Sequence, residues 1–392
     1  MKNILFCLNF NITDNRPYSI RALTIAKIYR DLGYNVIFVC VENTKEKNGE
    51  SKNKYCGFEN YTINYHKTRN IFKLKSAEKK FKLAFNNITH EIENSFGSIN
   101  CMMVFSQYAL IEKYSSKYAK KHKIEIIYNS SEWYTYSAFY GKFILIKYLG
   151  AIYMRSIKHA RKNQMVISRF LEEFYKNKHC KVVRIPSIVD KLDYPDDFNY
   201  TSDDNKKIRI MYAGYPGKKD VIKEFLLAIN ELNPEEQNRL EFYGYGFKEK
   251  DLIALGMNSE DIHKSGCINI CGQVSQAEIR KALSESEFSI LLRENTKNAR
   301  GGFSTKIVES MMAGVPLIAN LTGDMELYFN PNNSIIVSNP TISDCKTAIR
   351  KVLSMSKQEI KQMKIEAHQT AIEHFDYRKH IENVRQFMEE LK

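Results

Sequence analysis

Apolar residues recur along this chain in short blocks separated by stretches with helical spacing. The first block, "KNILFCL" (2–8), leads through polar "NFNITDNRPYS" into a helical pattern from about Ser19 to Leu32, closed by Gly33. "NVIFVCV" (35–41) is the next block. Strand, helix and strand in that order predict a βαβ unit opening a parallel, doubly wound sheet. "CMMVFS" (101–106), "IEIIYN" (124–129) and "QMVIS" (164–168) extend it, with helical stretches between. From 185 to 207, "IPSIVDKLDYPDDFNYTSDDNKK" loses periodicity and gathers prolines and aspartates, as a linker does.

The alternation then restarts. "IRIMYAG" (208–214), a helix over about 220–232, "LEFYGYG" (240–246), "INICG" (268–272), a helix over about 275–286, "FSILLR" (288–293), "PLIAN" (316–320) and "SIIV" (334–337) follow. The expected organisation is a Rossmann-like α/β domain over 1–190, a linker over 191–207 and a second such domain over 208–375. A length of 392 residues agrees with more than one core. The longest apolar segment, "FILIKYLGAIYM" (143–154), is too short to span a bilayer and contains Lys147.

Charge separates the two halves. Residues 1–200 carry 33 Lys and Arg against 18 Asp and Glu, and residues 201–392 carry 26 against 27. The first half is basic and the second neutral. Its basic stretches, 66–85, 113–123 and 142–162, interleave apolar and cationic residues in the first and third, a pattern of interfacial helices. Two readings stand: solvated faces of core helices, or a surface that meets anionic lipid. No helix-turn-helix, zinc or RNA-recognition pattern accompanies the charge, so no nucleic-acid partner is expected. The eight cysteines are scattered, as reduced thiols are, and the start has too short an apolar core for a signal peptide, so a cytoplasmic protein is expected.

The candidate chemistry lies in "ARGGFSTKIVESMMAGVPLIAN" (299–320). A buried strand ends at Arg293, the loop "ENTKNARGG" follows, and a helix starts with Ser304 or Thr305 as its cap and ends near Gly314. Strand, glycine loop and helix start together present free backbone N–H groups to an anion. Lys306 falls in the first turn, where a cation opposes the helix dipole unless an anion binds there. The plain alternative is an i,i+3 pair with Glu309.

This stretch resembles the nucleotide-sugar site of family 4 glycosyltransferases, above all those of bacterial capsule and surface-polysaccharide assembly. "YAGYPGKKD" (212–220), "LEFYGYG", "INICGQV" and "FSILLR" follow the family's order; the first half is matched by "VISRFLEEFYKNK" (166–178) and "RIPSIVD" (184–190). The resemblance implies a GT-B fold, with two Rossmann-like domains facing a cleft and a C-terminal helix (376–392) packing back on the first domain. It implies a retaining, metal-independent transferase that uses a nucleotide-diphosphate sugar as donor substrate, with no cofactor, and a glycan or lipid-linked acceptor.

By position, Glu309 would accept from the donor ribose hydroxyls and Lys219 would hold the diphosphate. Arg293 and Lys306 are added for the same diphosphate from their places at a strand end and a helix start. Gly214, Gly301, Gly302, Phe303, Ser304 and Thr305 complete the expected donor-binding set. Lys219 and Arg293 would stabilise the leaving nucleotide, as cations aimed at developing charge do.

Two departures from the family are visible. Gly301 stands where a second glutamate is usual, and Tyr215 where an arginine is usual, leaving Arg293 or Arg300 to supply that cation. On the acceptor side, Arg16 or Arg21 from the glycine-free first loop would reach the cleft. Glu132 of "NSSEWYTYSAF" (129–139) would orient or deprotonate the acceptor hydroxyl. Trp133 either packs internally or stacks on a sugar. A nucleotide-sugar epimerase on the same architecture, or a catalytically silent sugar-nucleotide binder, are the rival readings.

Overall fold

The computed structural model describes all residues except 15, 44–48, 66–70, 106–108, 134–161, 195–206, 218–219 and 392. They form two compact units: Met1–Val189 with Tyr377–Lys392, and Asp190–Asp376. No helix among the described residues is long and apolar enough to cross a membrane. The segments 143–154 and 142–161 of the apolar and basic stretches lie outside the described residues.

In the first unit the strands are β1 (Lys2–Leu8), β2 (Tyr34–Asn43), β3 (Gly49–Tyr55), β4 (Phe58–Tyr65), β5 (Ile99–Phe105), β6 (Glu125–Ser130), β7 (Asn163–Val166) and β8 (Lys181–Arg184). They form one sheet in the order β3-β4-β2-β1-β5-β6-β7-β8. All neighbours are parallel except β3 and β4. Successive β1 side chains point to opposite faces. Ile4, Phe6 and Leu8 join one core, with Ile25 and Tyr29 of the helix Pro17–Asp31; Leu5 and Cys7 join the other, with Phe85 and Ile88 of the helix Ile71–Phe96. Burial on both faces is why this strand reads as an unbroken apolar run.

The β3–β4 hairpin and β8 lie outside the strands expected from the sequence. β3, "GESKNKY", is exposed along almost its whole length, so it offers no apolar alternation to read. Its turn places Cys56 at φ 48° and Gly57 at φ 83°, the left-handed pair that a two-residue hairpin turn needs. The chain's last residues belong to this unit. Tyr377 Oη donates to Asp31 at 2.9 Å, and the helix Ile381–Glu390 sets Val384, Phe387 and Met388 in the core of Ile4 and Phe6.

In the second unit β9 (Ile208–Ala213), β10 (Leu240–Tyr245), β11 (Ile268–Gly272), β12 (Phe288–Leu291), β13 (Leu317–Ala319) and β14 (Ser334–Ile336) form an all-parallel sheet. The order is β11-β10-β9-β12-β13-β14. The chain winds outward from β9 through β10 and β11, then returns to pair β12 on the other side of β9. Loops leaving the C-terminal ends of β9 and β12 therefore run to opposite faces and open a crevice, where ligands of such sheets collect.

The helix expected over 220–232 begins only at Lys223 and runs to Asn230. Asp220 forms a β-bridge with Arg293, and the Val221 N–H donates to the Leu292 carbonyl at 2.8 Å, so the strand end claims these residues first.

Candidate functional site

At the C-terminal ends of β9 and β12, three side chains meet around one buried carboxylate. Asp220, with its side chain 6% exposed, accepts from Arg293 Nε at 2.9 Å through Oδ1. Its Oδ2 accepts from Lys306 Nζ at 2.6 Å and from Tyr212 Oη at 2.8 Å. Lys306 also donates to Tyr212 Oη at 3.0 Å, and its Nζ lies 4.1 Å from the centre of that ring. Burial by itself would raise the Asp220 pKa, but Lys306 and Arg293 outweigh it and hold the carboxyl below its ordinary range. Burial pushes the Tyr212 hydroxyl up, and Asp220 adds to that rise. Formally, two basic side chains stand against one carboxylate at the crevice.

Backbone contacts fix the cluster. Asn320, the last residue of "PLIAN", takes the Arg293 N–H at 2.8 Å and donates to the Arg293 carbonyl at 2.7 Å. Gly214 has φ +141°, and a Cβ there would stand 2.6 Å from Lys306 Cε and Nζ. The missing side chain is what lets the lysine cross the end of β9. The i,i+3 pairing of Lys306 with Glu309 does not form; the lysine turns to Asp220 instead.

Ser304 stands at the cap of the helix Thr305–Met312, yet its side chain caps no backbone N–H. The first-turn amides are therefore not met by a side chain from that position. "ENTKNARGG" is less loop-like than expected: Thr296 caps a short helix, Lys297–Arg300, whose end is Gly301. Gly301 is buried and Gly302 half-buried. Phe303, placed in the donor-binding set, is 8% exposed and packs on Tyr328 and Phe375 with ring centres 5.4 and 5.6 Å away. Its ring supports the loop from beneath.

Glu309, one turn into the helix, is half-buried, and among the described residues its carboxylate makes no hydrogen bond. Burial raises it to about 7, against the weaker opposing pull of Arg280 and Lys306. Tyr194 lies near enough for Glu309 to add to the rise that burial imposes on its hydroxyl. Lys219 lies outside the described residues, as does Lys218. Tyr215 is 65% exposed, and Arg300 is exposed at the end of the short helix.

Of the acceptor-side candidates, Glu132 is half-buried just beyond β6. Trp133 is half-buried and packs edge-on against Phe170 and Phe174, with ring centres 5.1 and 5.0 Å away. Arg16 precedes the helix Pro17–Asp31 without a side-chain cap and donates to Tyr18 Oη at 3.0 Å on the exposed surface. Arg21 is buried. It is 5% exposed and donates to the carbonyls of Ile185 and Pro186 and to Asn129, and burial lowers it to about 9. It ties the first helix to the segment after β8.

Asp220, Tyr212, Tyr194 and Arg280 were not among the residues singled out in the sequence.

The sequence over residues 219–386 matches the family described as "Glycosyl transferase-like". No curated protein matches the chain in sequence. Among solved structures, sucrose-phosphate synthase from Thermosynechococcus elongatus superposes with TM-score 0.73 at 11% identity, covering 100% of this chain and 99% of that one. HepE from Anabaena, in complex with UDP and glucose, gives 0.69 at 12% identity, covering 99% and 100%. The fold is GT-B. A glycosyltransferase from Rickettsia africae, with TM-score 0.66 and 17% identity, covers 100% of this GT-B chain and 99% of its own. The Asp220 cluster and Glu309 both fall inside the matched 219–386 region.

Proposed function

We propose that this chain is a retaining, metal-independent glycosyltransferase that moves a sugar from a nucleotide-diphosphate donor to a glycan or lipid-linked acceptor in bacterial surface-polysaccharide assembly. The observation that carries the reading is the cation pair Arg293–Lys306, fixed at the switch point of the second sheet beside a helix start whose Ser304 makes no side-chain cap. A diphosphate there meets amides, helix dipole and two basic side chains together. Negative charge builds on that group as the sugar leaves, and the same contacts stabilise it without rearrangement. Glu309 accepts from the ribose hydroxyls, which favours its ionised form. Lys219, next to Asp220 in sequence, adds a further cation, and Glu132 orients the acceptor hydroxyl. HepE with UDP and glucose, and the Escherichia coli trehalose-6-phosphate structure bound with UDP-2-fluoro glucose, support a uridine-diphosphate sugar as the first donor to try. The polysaccharide role rests on the likeness of "GGFSTKIVESMMAGVPLIAN" to capsule enzymes.

The test is release of nucleoside diphosphate from a panel of sugar nucleotides, with and without lipid-linked glycan. Release that requires the acceptor is expected; release at one rate in both conditions contradicts transfer. The first unit is proposed to meet an anionic membrane, supported by the basic helix Ala109–His122, whose last turn carries Lys120, Lys121 and His122. Each near-surface cation adds about 1 kcal/mol there. Co-sedimentation with phosphatidylglycerol vesicles but not with neutral ones is the expected result, and equal sedimentation with both overturns it.

A further inference from the structure

We propose that Asp220 is the internal counterion of the donor-phosphate site, a positioning residue that holds Arg293 and Lys306 together and keeps the lysine charged before the diphosphate arrives. The inference rests on the donor-site reading above and adds to it a residue and a role.

The geometry is specific. Each Asp220 oxygen takes one cation, Oδ1 from Arg293 at 2.9 Å and Oδ2 from Lys306 at 2.6 Å. The two strand ends hold the carboxylate in place through the Asp220–Arg293 bridge, and Asn320 holds the Arg293 backbone from the other side. Gly214 keeps the lysine's path open. Two cations gathered at one buried point repel each other, and burial favours the uncharged amine. A carboxylate shared between them opposes both effects.

The groups facing Lys306 are Tyr212 from β9, Asp220 from the loop after it, Arg293 from the end of β12 and Glu309 from its own helix. Burial lowers the Lys306 pKa, Asp220 is the strongest influence raising it, and Arg293 lowers it further. Without Asp220, burial and Arg293 act together against Glu309 alone, and the balance moves towards the neutral amine. An incoming diphosphate must then bring a proton with it.

That proton is the readout, since a carboxylate that served only to brace the loop would not move it. The probe is the tightest binder among UDP, GDP, ADP and dTDP. It is titrated calorimetrically in two buffers of different ionisation heat at about pH 8.5, above both Glu309 and a terminal phosphate of pKa about 6. The wild-type protein is expected to show no buffer dependence. Asp220→Asn is expected to take up close to one proton per ligand, its affinity falling about tenfold per pH unit. Asp220→Asn with Lys306→Met is expected to lose that uptake. Binding by Asp220→Asn without proton uptake, or uptake that persists in the double variant, overturns the role given to Asp220. Failure of the wild-type protein to bind any of the four nucleotides overturns the donor-site reading itself. Should Asp220→Asn not fold, carbon-13 NMR of the lysine Cε atoms in the wild-type protein reads the same claim: Lys306 is expected to be charged at about pH 8, and a neutral Lys306 overturns it.

Discussion

Glu309→Gln is expected to weaken nucleoside-diphosphate binding about ten- to a hundredfold, as loss of hydrogen bonds to a charged acceptor does, while making the empty protein more stable at alkaline pH. Both effects come from one carboxyl. In the absence of ligand it is raised from 4.5 to about 7, because burial disfavours its charge and no hydrogen bond compensates. The folded state therefore holds the proton more tightly than the unfolded chain. The stability this gives is fully present below about pH 4.5 and is lost as pH climbs through about 7. Glutamine has no charge to bury, so the variant should gain on the order of 2 kcal/mol at about pH 8 and nothing at about pH 4, measured by urea unfolding. Binding moves the other way: ribose hydroxyls donate to the ionised form, so wild-type affinity should rise more steeply from about pH 6 to 8 than the variant's, which follows only the terminal phosphate of pKa about 6. Equal stability of both proteins at alkaline pH, with unchanged affinity, would remove Glu309 from the site.

Lys306→Met is expected to lower turnover about a hundred- to a thousandfold, the range seen when a group aimed at developing charge is removed. The Michaelis constant should change less than the turnover number, since the contact strengthens as the nucleotide leaves. The variant also leaves Asp220 with Arg293 and Tyr212 alone. A loss of roughly 2 kcal/mol in stability is expected, below the full cost of breaking a buried pair because the Lys306 side chain is 22% exposed. Lys306→Arg is not a rescue. The lysine passes within 2.6 Å of where a Gly214 Cβ would stand, so it runs close along that backbone, and a bulkier planar guanidinium is expected to fit the path poorly. Steady-state kinetics with wild-type-like turnover in either variant would contradict the assignment.

Much of this molecule is legible in its sequence, and the boundary is physical. Strands buried on both faces, such as β1 and β12, write their burial as unbroken apolar runs. β3 buries almost nothing and leaves no trace. In the site, the strand-end position of Arg293 and the helix-start position of Lys306 follow from local pattern, and Glu309 from resemblance to a family. Their common partner does not. Asp220 lies 73 residues from Arg293 and 86 from Lys306, and no periodicity spans such separations. After two lysines it reads as one member of a solvated charge run. Trp133, Phe303 and Arg21 are of types used both in binding sites and in packing, and here they contact Phe170 and Phe174, Tyr328 and Phe375, and backbone carbonyls. Only contacts across the fold separate these uses of one residue type.

A crystal structure with the tightest-binding sugar nucleotide is the most direct check. The diphosphate is expected against the Thr305 and Lys306 amides, within hydrogen-bond reach of the Lys306 and Arg293 side chains, with the ribose hydroxyls on Glu309. A ligand bound elsewhere, with protein side chains closing the space above the Thr305 helix, would contradict it.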